Sequence, residues 1–481
     1  MKTLIVGTGF GGLCLAAKLR EQGDEDFIIL EKALGVGGTW RENTYPGAEC
    51  DIPSALYSYS FEPNPTWDFK WAKQPQILKY IQDFAKDRDL LRHIKFQKTV
   101  TGASYEDGRW TVETASGDSY DCQFFVSAIG QLHVPSFPNI DGRDKFKGIN
   151  FHSAKWNHTV DLSQKNIGVI GVGASAAQLI PELAKIAKNL TVYQRSPNWI
   201  IDKGDRPYSK AEKWIARKIP AIAKLYRFGL WCQGEFVIWP VIKGAKIRSK
   251  ILRWVSLSEM KKYIKDKDKQ AKLTPNYQIG AKRILFSDSY YPALAEENVT
   301  LETKAIKKIS AEGIVTKDES IHRHDAIIYA TGFYSNPFLK EISVTGLAGR
   351  ELRTHWKDGA YAYLGVTTHG FPNMFMLYGP NTNTGHTSII YKLEAQVQHI
   401  LKLMNKTNAG VIEVKAEPED AFNEETQSRL SKLAWATIDA SWYKDGDRVT
   451  NNWPGGSSEF KRRLENPIWD HFHVSQTIPD S

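Results

Sequence analysis

Two glycine-rich turns carry the first recognisable chemistry of this chain. Gly7-Thr-Gly9-Phe-Gly-Gly12 follows an apolar run, Thr3–Val6, and precedes a helical pattern from Leu13 to Arg20. Gly7 permits the tight turn, Gly9 lets backbone approach a pyrophosphate, and Gly12 lets helix meet strand. A second strand, Asp26–Leu30, ends at Glu31, whose carboxylate can accept hydrogen bonds from a ribose. Gly171-Val-Gly173-Ala174-Ser175-Ala176 repeats the arrangement, with a strand at Ile167–Ile170 before it and a helix at Ala177–Lys188 after it. Beyond the next strand, Leu190–Gln194, stand Arg195 and Ser196 rather than an acid. A carboxylate there would repel a 2′-phosphate, whereas a guanidinium can grip one with two parallel hydrogen bonds. The pattern predicts two dinucleotide sites, the second for NADP rather than NAD. A solvated surface arginine is the plain alternative for Arg195.

Positioning two such turns requires an α/β fold with two Rossmann-like domains, and 481 residues suffice for two or three cores. The first turn stands at the extreme N-terminus, where FAD sits in the two-dinucleotide flavoproteins this arrangement resembles, so we expect residues 1–143 to form the first part of an FAD-binding domain. Residues 144–202 and 275–333 should form an NADP-binding domain, and 334–481 should return to the first domain and cap it. Between Lys203 and Gln270 strand signals vanish and Lys, Arg, Trp and Ile recur at helical spacing, so 203–274 reads as a helical insertion. Net charge is +9. No zinc-finger, RNA-recognition or helix-turn-helix pattern accompanies it, which argues against nucleic acid as a partner. The cysteines Cys14, Cys50, Cys122 and Cys232 form no CxxC pair, so neither a metal site nor a redox disulfide is expected. Free thiols and a chain opening directly on a strand predict a cytoplasmic protein. The longest apolar run, Phe228 to Ile242, is broken by Gln233, Gly234, Glu235 and Pro240 and falls short of a membrane span.

Phe146-Lys-Gly148-Ile-Asn-Phe-His152-Ser-Ala-Lys-Trp156 lies between the two glycine turns and reads FxGxxxHxxxW. It resembles the fingerprint of type I Baeyer–Villiger monooxygenases, and the resemblance runs through the whole chain in order. Gly37-Gly38-Thr39-Trp40 and Tyr45-Pro46-Gly47-Ala48-Glu49-Cys50-Asp51 are similar to the segment whose backbone lies along the flavin in that family. Tyr57 and Gln131 fall on flavin-contact positions. Gly280-Ala281-Lys282-Arg283 matches the family's Lys-Arg pair, Gly379-Pro380-Asn381 with Gly385-His386 a flavin-side loop, and Ser441-Trp442-Tyr443 a segment whose Trp contacts the nicotinamide cofactor's ribose. The ending Asn451-Asn-Trp-Pro-Gly-Gly456 looks like the branch related to hydroxyacetophenone monooxygenases. One departure, Asn157 where the family has Pro or Asp, touches only the edge of the fingerprint. Read without the resemblance, Asp51 fits a turn cap and Lys282-Arg283 a solvated basic pair.

The resemblance implies an enzyme in which NADPH reduces FAD and the electrons are spent on dioxygen. One oxygen atom is inserted beside a ketone carbonyl to give an ester or lactone, and sulfides are further substrates. It assigns catalysis to Arg283 and Asp51, 2′-phosphate binding to Lys282 and Arg195, and a hinge role to Phe146, Gly148, His152 and Trp156. A flavin monooxygenase acting on nitrogen or sulfur is the nearest rival, and a non-oxygenating membrane-associated flavoprotein a remote one. The basic, aromatic insertion has two readings. It forms a lid-like layer over the substrate site, or its Trp214, Trp231, Trp239 and Trp254 rest weakly on an anionic membrane.

Overall fold

The computed structural model describes residues 1–335, 338–408, 410–438 and 443–476. Two five-stranded, all-parallel sheets form its frame. The first runs, edge to edge, Met374–Met376, Phe124–Ser127, Thr3–Val6, Phe27–Leu30 and Ile94–Lys95. Its central strand Thr3–Val6 is buried at every position, as a parallel strand covered on both faces must be. The second runs Val299–Glu302, Asn189–Tyr193, Asn166–Ile170, Ala326–Tyr329 and Ile149–His152. The chain therefore leaves the first sheet, builds the second, and returns to place Met374–Met376 beside Phe124–Ser127. This is the α/β architecture that the repeated strand–turn–helix signal implies.

Each glycine turn feeds a helix that covers its sheet. Phe10–Glu21 buries nine of its twelve residues and packs on the long helix Ile389–Thr407. Ala174–Ala184 buries seven of eleven against the second core. Both helices start one turn earlier than the apolar periodicity suggests, because the glycine loop itself supplies the first helical residues.

Smaller antiparallel units not foreseen in detail hang on this frame. Val100–Glu106, Arg109–Thr114 and Ser119–Cys122 form a meander, with Ser343–Thr345 parallel at its edge. Asp107 and Gly108 both have positive φ (47° and 76°), as the tight hairpin turn joining the first two strands requires. Residues in the 203–274 stretch fold as the helices Lys210–Lys218, Pro220–Gln233, Lys246–Tyr263 and Lys267–Leu273, with a π turn at Gly234–Ile238. Ser209 and Glu212 close a capping box on the first of these. Arg227 anchors the second to the rest of the molecule through the carbonyls of Ala55 (2.5 Å) and Ser58 (3.0 Å).

Candidate active site

The first glycine turn is shaped by close approach. A Cβ on Gly7, where φ is +104°, would stand 2.8 Å from the Ala128 carbonyl oxygen, and one on Gly12 only 2.0 Å from that of Gly7. Gly9 caps helix Phe10–Glu21 with no side-chain hydrogen bond, so the first N–H groups of the helix face outward without a side-chain acceptor. Gly173 caps Ala174–Ala184 in the same way, and a Cβ there would meet nothing within 4 Å. Two bare helix N-termini of this kind fit pyrophosphates. Ala174, Ser175 and Ala176 form the first turn of the second helix, Ala176 fully buried. Glu31 departs from a simple ribose acceptor. Its Oε2 accepts from Thr8 N–H (3.0 Å) and hydroxyl (2.6 Å), and its Oε1 from Ala33 N–H (3.0 Å). Only part of its acceptor capacity is left for a ligand.

Arg283 and Asp51 form a charged centre. Arg283 donates from Nε to Asp51 Oδ2 (2.5 Å) and from Nη2 to Asp51 Oδ1 (2.8 Å), while Nη1 donates to the Thr384 carbonyl (3.3 Å). The two side chains are 22 % and 24 % exposed, so the pair opens on solvent-accessible space. Burial pulls the guanidinium down, but the Asp51 carboxylate outweighs it and holds the group above the ordinary arginine range. Tyr443 is buried beside the pair. Burial pushes its phenol up to about 12, with Arg283 pulling it down and Asp51 pushing it up.

Lys282 turns the other way. Its Nζ donates to Ser196 Oγ (2.8 Å) and lies 4.7 Å from the Tyr277 ring centroid. Gly280, at φ +92°, turns the chain just before this pair, and Leu285–Phe286 beyond it pairs with Ile200–Ile201. Burial, and then the positive charge of Arg195, push Lys282 below the usual lysine range. Among the described residues no carboxylate pairs with Arg195 or Lys282. Two converging cations without an anion fit a phosphate.

The remaining sequence candidates fall into two groups. Thr39 and Trp40 sit on the short helix Thr39–Glu42, and Trp40 Nε1 donates to the Tyr57 hydroxyl (3.1 Å). Gln131 is 3 % exposed; its Nε2 donates to the Tyr378 carbonyl (2.9 Å), and its Oε1 has no partner among the described residues. Such an orphaned buried acceptor fits a bound ring that donates. Trp442 and Ser441 lie outside the described residues. In the fingerprint, Phe146 is buried in a cluster with Ile170, Tyr193 and Tyr329. A Cβ on Gly148 would stand 2.6 Å from the Asp325 carbonyl. Trp156 meets Phe151 edge-on at 5.0 Å. His152 is 1 % exposed, and its Nδ1 accepts from Ala154 N–H. Its ring meets Phe137 and Phe333, the segments through which the chain passes between the two sheets. Burial pushes it down to about 4, so it is neutral near pH 7. The fingerprint thus stands apart from the Arg283–Asp51 centre, although Ala154, Lys155 and Trp156 line a cleft of about 370 Å³ with Lys32, Arg41 and Thr44.

Sequence reasoning missed the residues that join the parts. Gln178, on the second glycine helix, accepts from the Tyr45 hydroxyl (2.8 Å) and donates to the Glu49 carbonyl (3.0 Å). It thereby docks the segment carrying Asp51 onto the second domain, and a Cβ on Gly47 would collide with its backbone oxygen at 2.4 Å. The insertion is tied in by Glu235, which accepts from His386 Nε2 (3.2 Å), Ser457 N–H (3.0 Å) and the Ser458 hydroxyl (2.9 Å). No periodicity or motif signals either contact.

The flavin-binding monooxygenase-like family matches residues 1–218. A Baeyer–Villiger monooxygenase of Pseudomonas aeruginosa is 38% identical over 484 residues, spanning 99% of this chain and 92% of that protein. The chain belongs to the Baeyer–Villiger monooxygenases. Solved structures agree with this membership. An oxidized steroid monooxygenase bound to NADP superposes with a TM-score of 0.89 at 31% identity, covering 99% of each chain. The OTEMO complex with FAD and NADP does so at 0.88 and 28%, again over 99% of each. Within this Baeyer–Villiger monooxygenase, Arg283 and Asp51 form a bidentate ion pair that joins the segment Tyr45–Asp51 to the stretch after the insertion.

Proposed function

We propose that this enzyme uses FAD and NADPH to insert one oxygen atom of dioxygen beside a ketone carbonyl, giving an ester or lactone. The observation that carries the assignment of its chemistry is the bidentate, partly exposed Arg283–Asp51 pair in a fold that also offers two bare glycine-capped helices. FAD, when bound and reduced, supplies the electrons that activate dioxygen. Gly7, Gly9, Gly12, Glu31, Thr39, Trp40, Tyr57 and Gln131 would hold it, and Gly171, Gly173, Ser175, Arg195, Ser196 and Lys282 would hold NADPH. We assign residues 1–143 and 334–481 to the FAD part and 144–202 with 275–333 to the NADP part, leaving 203–274 as the insertion. The return of Met374–Met376 to the first sheet supports this division.

Ketone oxidation builds negative charge on oxygen, first on the attacking atom and then on the former carbonyl oxygen. A cation beside that charge is worth most in a site shielded from water. Arg283 supplies it. Of five guanidinium N–H donors, Asp51 takes two and Thr384 one, so two remain for a substrate oxygen. Asp51 fixes the plane of the fork and tempers its field. Tyr378 and Tyr443 line the same centre, and both phenols stay protonated because burial raises them.

Arg283→Ala should lower ester formation by three orders of magnitude or so, by analogy with the loss of a preorganised charge-stabilising donor, about 10²–10³. Product analysis by mass against cyclic, aryl and linear ketones reads this, and near-normal ester yield from the variant would sink the assignment. The family likeness of Asn451–Gly456 to the hydroxyacetophenone branch makes aryl ketones the first to try. We also infer oxidation of thioethers. Sulfur has no carbonyl to polarise, so Arg283→Ala should retain more of that activity than of ketone oxidation. We further place the enzyme in the cytoplasm. The four unpaired cysteines support this, and no helix among the described residues is long and apolar enough to cross a membrane.

A further inference from the structure

We propose that the outer surface of the helical insertion docks on an anionic lipid bilayer. Residues 210–262 carry thirteen Lys and Arg against three Asp and Glu, a net +10, whereas the whole chain carries +9. The positive charge of the protein is therefore concentrated in about a ninth of its length. The same stretch holds eleven of the nineteen large hydrophobic side chains that are exposed among the described residues. Charge alone would make a solvated face. Charge interleaved with exposed Ile, Leu, Phe and Trp makes an interfacial one.

These apolar side chains are ordered into stripes. On Lys246–Tyr263, Ile247 (76 % exposed), Ile251 and Trp254 recur at i, i+4 and i+7, one face of the helix. On Pro220–Gln233, Leu225 and Phe228 stand out one turn apart. The two stripes are joined: Phe228 stacks on Trp231, whose ring meets the exposed Phe236, and Arg248 donates to the Phe236 carbonyl (2.7 Å). The inner face of the insertion already has its partners, with Arg227 on Ala55 and Ser58, Glu235 on His386 and Ser457, and Trp239 against Trp435. The tryptophans therefore divide. Trp239 belongs to the inner layer, while Trp214 and Trp254 belong to the surface.

An anionic bilayer is the occupant that satisfies both features. A second copy of the chain would bring +10 against +10, and a nucleic acid backbone would pair with the cations but leave the aliphatic stripe in water. Lipid headgroups take the Lys and Arg, and the interface below them takes Ile247, Ile251 and Trp254.

The test uses the FAD-loaded full chain in co-sedimentation with vesicles of phosphatidylcholine alone and of phosphatidylcholine with phosphatidylserine in equal amounts. Binding to the anionic vesicles at low salt, weakening as salt rises, is expected. A variant carrying Lys243→Glu, Lys246→Glu and Lys250→Glu should lose about a hundredfold or more in partitioning. One carrying Ile247→Ser, Ile251→Ser and Trp254→Ser should also fall away from the vesicles. All six positions are on the exposed side, and retained flavin absorbance checks that both variants fold. Equal binding by either variant, or no binding to anionic vesicles at low salt, overturns the proposal. So does binding of duplex DNA that the serine variant retains, or a dimer in light scattering that the serine variant abolishes.

Discussion

Lys282 and Arg283 are neighbours in the chain, yet their side chains meet different partners. Arg283 meets Asp51 and the Thr384 carbonyl, while Lys282 meets Ser196 and feels Arg195. Burial, and then the positive charge of Arg195, hold Lys282 below its ordinary range, and among the described residues no carboxylate pairs with it. A 2′-phosphate would supply the negative charge. Arg195→Ala and Lys282→Ala should each weaken NADPH binding by roughly tenfold to a hundredfold, the worth of a charge-assisted hydrogen bond. NADH binding should hardly change. Titration of the two nucleotides against each variant checks this, and equal losses for both would end the 2′-phosphate reading.

Among elements, the two glycine-capped helices set the geometry, and their close contacts leave little tolerance. A Cβ at residue 12 would lie 2.0 Å from the Gly7 oxygen, backbone against side chain, so helix Phe10–Glu21 would have to tilt from its strand. Gly12→Ala should destabilise the fold by on the order of 3 kcal/mol and leave the purified protein depleted of flavin. Thermal midpoint and flavin absorbance per chain measure both, and a variant with full flavin and an unchanged midpoint would show that the approach is not needed. The fingerprint works at this scale too. His152 caps the short helix Ser153–Lys155 and packs between Phe137 and Phe333, so its contribution is to the crossing between sheets. A hinge there remains our proposal.

At the scale of the whole molecule, stability should depend on pH through Glu419. It is 1 % exposed, its Oε2 accepts from His369 N–H (3.0 Å), and its Oε1 has no hydrogen-bond partner among the described residues. Burial pushes its carboxyl up to about 7. Because the folded value lies above the unfolded one, the native state keeps the proton longer. The contribution is fully present below the unfolded value near 4.5 and is lost as pH rises through about 7. The loss across that window is on the order of 3 kcal/mol. Glu419→Gln should flatten it, so that the variant gains on the parent steadily as pH rises. Denaturant midpoints compared across the window test this, and a difference that stays constant with pH would refute it. The insertion is a second whole-molecule feature. Glu235 buries a carboxylate against His386 and the Ser457 amide, and the bonds it accepts bring it down to about 2 despite burial. One side of the insertion is thereby locked to the loop that carries His386, while the other carries a net charge as large as that of the entire chain.

Much of this was legible in the residues themselves. Gly7, Gly12 and Gly171 are demanded by backbone conformation and close approach within one turn, so a local pattern is enough to recognise them. The alternating strands and helices around them likewise announce two parallel sheets. Arg195 without a neighbouring acid already pointed to a phosphate. What the tertiary structure decided is which distant groups meet. Arg283 and Asp51 are 232 residues apart, and Glu235 and His386 are 151 apart. Asp51 alone reads as a turn cap and Lys282-Arg283 as a solvated pair, since the sequence specifies a side chain's charge but not its partner. The partner follows from packing: Gln178 seats the Tyr45–Cys50 segment on the second domain, and that seating brings the carboxylate to the guanidinium. Charge and glycine are local properties of a chain, whereas the field between two charges exists only once the chain has folded around them.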